Sequence, residues 1–187
     1  MRKVIKGYIS LHNFYLTELC DLSDVHVIGY FACSHNNLTS LKGAPQSVTS
    51  DFICNNNYLT NLIGAPETVR GSFLCEENKL TSLKGAPQTG VFSFNCSNNK
   101  LTSLEDAPKK IGNGGSFYCQ VNNLTSLVGA PRKIGFNFYC HGNNLTSLKG
   151  IPKIIGGNFW IDISLKGKFP EKYIRSLSKI DGGVIYN

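Results

Sequence analysis

Seven cysteines and four histidines are the residues whose types could support chemistry, because both bind metals and thiols also take part in redox reactions. Six of the cysteines recur at intervals of 21, 21, 21, 23 and 21 residues. They are Cys33, Cys54, Cys75, Cys96, Cys119 and Cys140. No pair has the C-x-x-C or C-x-x-H spacing that is usual in zinc sites. We therefore expect no metal site, six buried free thiols that act as small hydrophobic side chains, and one exposed thiol, Cys20.

The remaining polar residues show no catalytic pattern. His12, His26, His35 and His141 occupy different repeat positions. The sequence contains no nucleophile elbow, no phosphate-binding glycine loop and no H-E-x-x-H motif. The adjacent Glu76 and Glu77 are not opposed, as a carboxylate pair for acid–base catalysis must be. We expect a binding protein rather than an enzyme, with no catalytic residue and no cofactor.

The cysteines belong to a longer repeat, which must position any functional residue. Around each of the six, Phe stands two residues before and Asn three residues after, followed by Leu-Thr-x-Leu and a Pro. The phenylalanines are Phe31, Phe52, Phe73, Phe94, Phe117 and Phe138, and the asparagines are Asn36, Asn57, Asn78, Asn99, Asn122 and Asn143. Such self-similarity at a fixed period is typical of a solenoid.

The repeat resembles the leucine-rich-repeat pattern L-x-L-x-x-N-x-L of the 21-residue type over roughly residues 9 to 163, with Phe and Cys in the two strand positions. It is similar to the repeats of secreted bacterial effectors, but has Gly-Ala-Pro where those have Pro-x-Leu-Pro. It looks more like the small leucine-rich-repeat proteins of tailed bacteriophages. That resemblance implies a binding protein directed at a host protein, and it names no target.

The spacing predicts a β-rich solenoid with a parallel sheet on a concave face. Phe and Cys two residues apart point to the same side of a strand, into the core, and the Asn side chain can satisfy backbone groups at the turn that follows. No helical pattern fits between the strands, so the convex side should be extended or 3₁₀. One further core residue per repeat is expected there: Val48, Val69, Val91, Ile111, Ile134 and Ile154.

The two ends are predicted to be caps, because terminal repeats of a solenoid expose core. Residues 1–30 form an N-terminal cap with a degenerate first repeat, in which Ile9 and Leu11 stand for Phe and Cys. Six repeats occupy residues 31–158. Residues 159–187 hold a final strand, Phe159-Trp160-Ile161, and a short helix near Pro170. The helix residues predicted to cover the open end are Phe169, Tyr173, Ile174 and Leu177.

The formal charge of +7 is unevenly distributed. Residues 1–99 hold seven Lys/Arg and seven Asp/Glu, whereas residues 100–187 hold twelve and five. This asymmetry favours either an acidic partner or simple solubility. The chain shows no apolar run long enough for a membrane span and no signal-peptide pattern, so we expect no membrane partner and a cytoplasmic location, that of the host cell if the protein is phage-encoded.

Aromatic residues gather at one end of the predicted concave face. Tyr118, Tyr139 and Trp160 stand between the inward positions of successive strands, and Gln120, His141 and Asp162 follow them. Adjacent strands lie about 4.8 Å apart, so these side chains should form one patch. Tyr and Trp are frequent in binding hot spots, although rings in a parallel stack can also serve only to stabilise the sheet.

Cations gather on the outer side of the last repeats. These residues, which follow the repeat prolines, are Lys109, Lys110, Arg132, Lys133 and Lys153. A solvated face is the ordinary meaning of such a strip, and an anion-binding site is the alternative.

Three functional hypotheses follow. The first is a protein-binding solenoid that uses the concave aromatic end. The second is a binder of nucleic acid or of an anionic nucleotide, in which the aromatic rings stack a base and nearby cations hold phosphate. The third is a structural component of a virion.

Overall fold

The computed structural model describes residues 3–187 as a parallel β-solenoid. One wall is a nine-stranded sheet in which every strand pairs, in parallel, with the strand of the next turn. Its strands are Ile9–Ser10, Phe31–Ala32, Phe52–Ile53, Phe73–Leu74, Phe94–Asn95, Phe117–Tyr118, Phe138–Tyr139, Phe159–Ile161 and Val184–Tyr186. The predicted repeat solenoid and its parallel sheet are confirmed.

The other wall consists of two four-stranded parallel sheets. The first contains Lys3–Lys6, Val25–Ile28, Ser47–Val48 and Thr68–Val69. The second contains Lys110–Asn113, Lys133–Gly135, Ile154–Ile155 and Lys179–Ile180. This wall is extended, as the absence of a helical pattern predicted. Its regular helical elements within residues 3–187 come late in the chain: a 3₁₀ turn at Ile163–Leu165 and an α-helix at Glu171–Leu177.

The inward phenylalanines form a continuous stack along the core. All are fully buried, and their ring centroids lie 5.1–5.9 Å apart from one turn to the next. Register is strict, since Phe31 pairs with Phe52 and so on to Phe138 with Phe159. Ile9 takes the Phe position in the first strand, as predicted, and Val184 takes it in the last.

The asparagines tie each turn to the preceding one. The Asn57 Oδ1 accepts a hydrogen bond from the Leu38 amide at 3.0 Å. Its Nδ2 donates to the carbonyl oxygens of Cys33, Cys54 and Asn55 at 3.0–3.2 Å. The same set recurs at the other repeat asparagines, so one side chain satisfies backbone groups of two turns.

The 23-residue interval between Cys96 and Cys119 is absorbed outside the nine-stranded sheet. The register between Lys110–Asn113 and Lys133–Gly135 shifts between Lys110 and Asn113, and the Gly115 amide closes a turn onto the Gly112 carbonyl at 2.9 Å. The two extra residues therefore form a bulge, and Phe117 still pairs with Phe94 and Phe138.

Three sequence-based predictions need correction, one in the last repeat and two in the C-terminal segment. Ile154 is 36% exposed, and its neighbour Ile155 is the core residue of that turn. Tyr173 is 46% exposed, whereas Phe169 and Ile174 are buried. Phe159–Ile161 is not the last strand, because the chain continues after the helix and Val184–Tyr186 pairs with it.

The six repeat cysteines are buried free thiols and Cys20 is exposed, as predicted. Burial raises the pKa of the Cys33 thiol to about 12, so the reactive thiolate is scarce at neutral pH. We expect an aromatic disulfide reagent at pH 8 to modify one thiol per native chain rapidly and all seven in denaturant without reductant. Disulfides or several fast thiols in the native protein would contradict this arrangement.

Replacing Asn57 with Ala should lower the free energy of unfolding by about 1–3 kcal/mol, because the buried Leu38 amide loses its partner and the Cys33 carbonyl keeps only the bond from Asn36. Asn56→Gly is the matched control. Asn56 has a φ of +53°, which glycine adopts without strain, and this relief offsets the greater freedom of glycine in the unfolded chain, so the variant should be close to neutral. Urea unfolding measures both, and equal losses would show that the asparagine ladder does not hold the turns together.

Candidate functional site

The aromatic residues predicted from the sequence do lie together on the nine-stranded sheet. Tyr118 pairs in register with Tyr139, and Tyr139 with Trp160. The rings of Tyr118 and Tyr139 stack at 4.7 Å with 5° between their planes, and those of Tyr139 and Trp160 at 5.5 Å with 20°. All three remain partly exposed. The rings therefore pack on each other and also present a surface.

The neighbours of the aromatic run define its limits. Asn95 precedes Tyr118 in the same column, and Ile185 follows Trp160. Sequence reasoning missed Ile185, because its strand lacks the Phe and Cys that mark the others. The Tyr139 ring is fixed in place, since Asn137 Nδ2 donates to its hydroxyl oxygen at 3.0 Å and the His141 ring meets it edge-on at 6.5 Å.

Gln120, His141 and Asp162 form a partly buried polar column beside the rings. The Asp162 Oδ1 accepts a hydrogen bond from the Gly142 amide at 2.7 Å. Four buried atoms in this region lack a hydrogen-bond partner among the described residues: Gln120 Oε1, His141 Nδ1, Trp160 Nε1 and Asp162 Oδ2. Leaving a buried polar atom unpaired costs about 1–3 kcal/mol.

By contrast, the side chains of a second polar column on the same face have hydrogen-bond partners. It consists of the residues that precede the inward Phe. Asn137 Oδ1 accepts from the Asn158 amide at 2.8 Å, and Asn158 Oδ1 accepts from the Gly183 amide at 2.8 Å. Asp51 makes the same bond with the Ser72 amide at 2.7 Å. The unpaired atoms therefore concentrate in the column that follows the cysteines and around Trp160.

Glu76 belongs to this column nearer the N-terminus. Its Oε2 is buried without a partner in residues 3–187. Burial is the main reason that its pKa is raised, with repulsion from Glu77 adding to the effect, although a backbone hydrogen bond acts in the opposite direction. Sequence reasoning treated Glu76 only as half of an adjacent acidic pair, because desolvation depends on the neighbouring turns.

Val121, next to Gln120, is a strained and exposed position. Its φ is +55°, which is rare for a β-branched residue, and it is 48% exposed. The equivalent positions of the other repeats also have a positive φ, and none of them is β-branched: His35, Asn56, Glu77, Asn98 and Gly142. The frame of the repeat could have revealed this residue, but sequence reasoning did not single it out. A strained apolar side chain thus borders the polar column.

The basic residues lie on a different sheet from the aromatic ones. Lys109, Lys110, Arg132, Lys133 and Lys153 are all exposed. Lys110 stands directly opposite Lys133 in the second four-stranded sheet. None of the five makes an ion pair with another described residue. The alternative hypothesis of a nucleotide site needs rings and cations in one place, whereas the structure distributes them over two walls.

The helices within residues 3–187 lack the length and apolar character needed to cross a bilayer. No three His, Cys, Asp or Glu side chains in this range gather as a metal site would require. No family model matches the chain, no curated protein is detectably similar to it, and no solved structure matches it.

Glu76→Gln should stabilise the protein more at pH 7 than at pH 4. A carboxyl whose folded pKa is raised contributes fully to stability below its unfolded pKa, and that contribution is lost as the pH rises through the folded pKa. The difference in urea midpoint between variant and parent should therefore widen with pH. Glu67→Gln, the same substitution at an exposed position on the other wall, is the matched control.

Proposed function

We propose that this protein is a non-enzymatic, leucine-rich-repeat solenoid that binds a partner protein through its aromatic end. The aromatic end is defined as Tyr118, Tyr139, Trp160, Gln120, His141 and Asp162. One observation carries the proposal: partly exposed, stacked rings lie beside buried polar atoms that have no partner in the described chain.

The leucine-rich-repeat assignment is supported by the repeat frame. Parallel strands stack in register, the asparagines link successive turns, and the leucine pairs are buried. In such proteins the sheet with the strand motif lines the concave side, which would place the aromatic end there. The resemblance to tailed-phage proteins suggests a host protein as the partner.

Rigidity supports a role in recognition. The rings are held by stacking and by the Asn137 bond before any partner arrives, so binding would cost little side-chain entropy. The unpaired atoms have no hydrogen-bond partner among the described residues and are closed to solvent. A partner could pair them once the Gln120 or Asp162 side chain rotated outward, and those hydrogen bonds would strengthen binding.

Sheet packing alone explains the aromatic end less well than partner binding does. The same column contains Ala32 and Asn95 elsewhere, and the sheet continues through both. Aromatic stacking would also account for the rings but not for the unsatisfied polar atoms beside them. In the neighbouring column the polar side chains do serve the fold, because Asn137 and Asn158 accept hydrogen bonds from backbone amides of the next turn.

A second candidate function is anion binding by the basic strip, defined as Lys109, Lys110, Arg132, Lys133 and Lys153. Like charges directly opposite each other destabilise a sheet, yet Lys110 faces Lys133. The fold does not require lysine at these positions, because the first four-stranded sheet pairs Ser47 with Thr68. A polyanion would relieve the repulsion. Such binding should weaken steeply between about 50 and 200 mM salt.

Tyr139→Ala should reduce affinity for the partner by about 30-fold, or about 2 kcal/mol, because it removes the central ring of the stack. The partner would be obtained by pull-down and mass spectrometry, and affinities measured by calorimetry. Leu74→Ala, at an equivalent position in the same sheet, is the matched control and should leave binding unchanged.

The double variant Lys110→Glu/Lys133→Glu separates the two candidates. If the aromatic end binds the partner, this variant should change mainly the association rate and its salt dependence. Loss of binding in the charge-reversed protein, with Tyr139→Ala unaffected, would overturn the proposal in favour of anion binding.

A further inference from the structure

Positive charge is excluded from the outward face of the nine-stranded sheet. Each of its nine turns has three outward positions: before the Phe site, between the Phe and Cys sites, and after the Cys site. None of these 27 positions holds Lys or Arg, although the chain has 19, enough to place roughly three there by composition. The charged residues on this face are Asp51, Glu76 and Asp162.

The polar atoms left unpaired on this face are mostly acceptors. Glu76 Oε2, Gln120 Oε1 and Asp162 Oδ2 can only accept a hydrogen bond in their ordinary states, while Trp160 Nε1 can only donate. The free acceptors lie in one column, interrupted by His141 and by Ser97, whose hydroxyl donates to Asn95 Oδ1 at 2.8 Å. These acceptors are buried, so a partner meets them only when their side chains rotate outward, and it must then supply donors.

Resting on the proposed function, we propose that the partner presents a basic segment, with a lysine or arginine side chain placed against Asp162 and Gln120. Lys and Arg carry donors only, and a charge-assisted bond to a carboxylate is roughly twice as strong as a neutral one. Their aliphatic stems can lie against the edges of Tyr139 and Trp160, and the charged head would pair with the Asp162 carboxylate once that side chain, which is only partly buried, rotates outward.

Charge complementarity also argues against nucleic acid on this face. A phosphate backbone would meet three carboxylates and no cation. The lysines of the basic strip lie on the other wall, and exposed charges are largely screened beyond about 8 Å at physiological salt. The local acidic face therefore attracts a basic segment, although the net charge of the chain is positive.

Trp160 is the only tryptophan in the chain, so its fluorescence reports on this site directly. The test selects binders to the 187-residue chain from a random dodecapeptide library and titrates the synthesised peptides against that signal. We expect the binders to be enriched in Lys and Arg and to change Trp160 emission. Asp162→Asn should weaken them at least tenfold.

The Asn substitution keeps the oxygen that accepts from the Gly142 amide. Asp51→Asn is the matched control, because Asp51 caps the Ser72 amide in the same way far from Trp160, and it should leave affinity unchanged. An unaltered urea midpoint verifies that both variants fold.

Each other outcome would contradict either the basic segment or the proposed function. Neutral or acidic peptides that shift Trp160 emission, or basic ones indifferent to Asp162→Asn, would overturn the basic segment and leave the proposed function standing. Peptides that bind without affecting Trp160 would refute the proposed function itself. Saturable quenching of Trp160 by a 20-nucleotide oligothymidine would replace the basic segment with nucleic acid.

Discussion

The asparagine ladder is the interaction on which the rest of this structure depends. Each repeat Asn accepts from a backbone amide of the preceding turn and donates to carbonyl oxygens of both turns. Those groups lie where the chain leaves the sheet, and they would otherwise be buried without partners. Because the ladder fixes the register, phenylalanine stacks on phenylalanine and cysteine follows cysteine along the core.

In-register stacking separates the residues that hold the fold from those that can vary. Inward positions repeat almost without change, whereas outward positions range from Ala32 to Trp160. Stacking also converts variation along the chain into contiguous patches, since residues 21 positions apart become neighbours. Tyr118, Tyr139 and Trp160 thus form one surface although they are far apart in sequence. This contiguous surface is the one that we propose for recognition.

Much of the architecture could be predicted from the repeat, because each inward position recurs with the same residue type. Prediction failed where the frame is degenerate. The strand Val184–Tyr186 lacks the Phe, Cys and Asn markers, and Ile154 and Ile155 are indistinguishable by type. The residues of the candidate site could be named from their columns. Their unpaired atoms could not, because the burial of Glu76 Oε2 or Trp160 Nε1 depends on how side chains of adjacent turns pack.

The most direct test of the central claim, that the aromatic end is the recognition surface, is NMR mapping of the bound partner on the isotope-labelled protein. Binding should shift the Trp160 indole N–H and the amides of residues 118–120, 139–141 and 160–162, which line that surface. The amides of Lys109, Lys110, Arg132 and Lys133, on the other wall, should stay unchanged. Shifts confined to those basic residues, with the Trp160 indole signal unmoved, would contradict the claim.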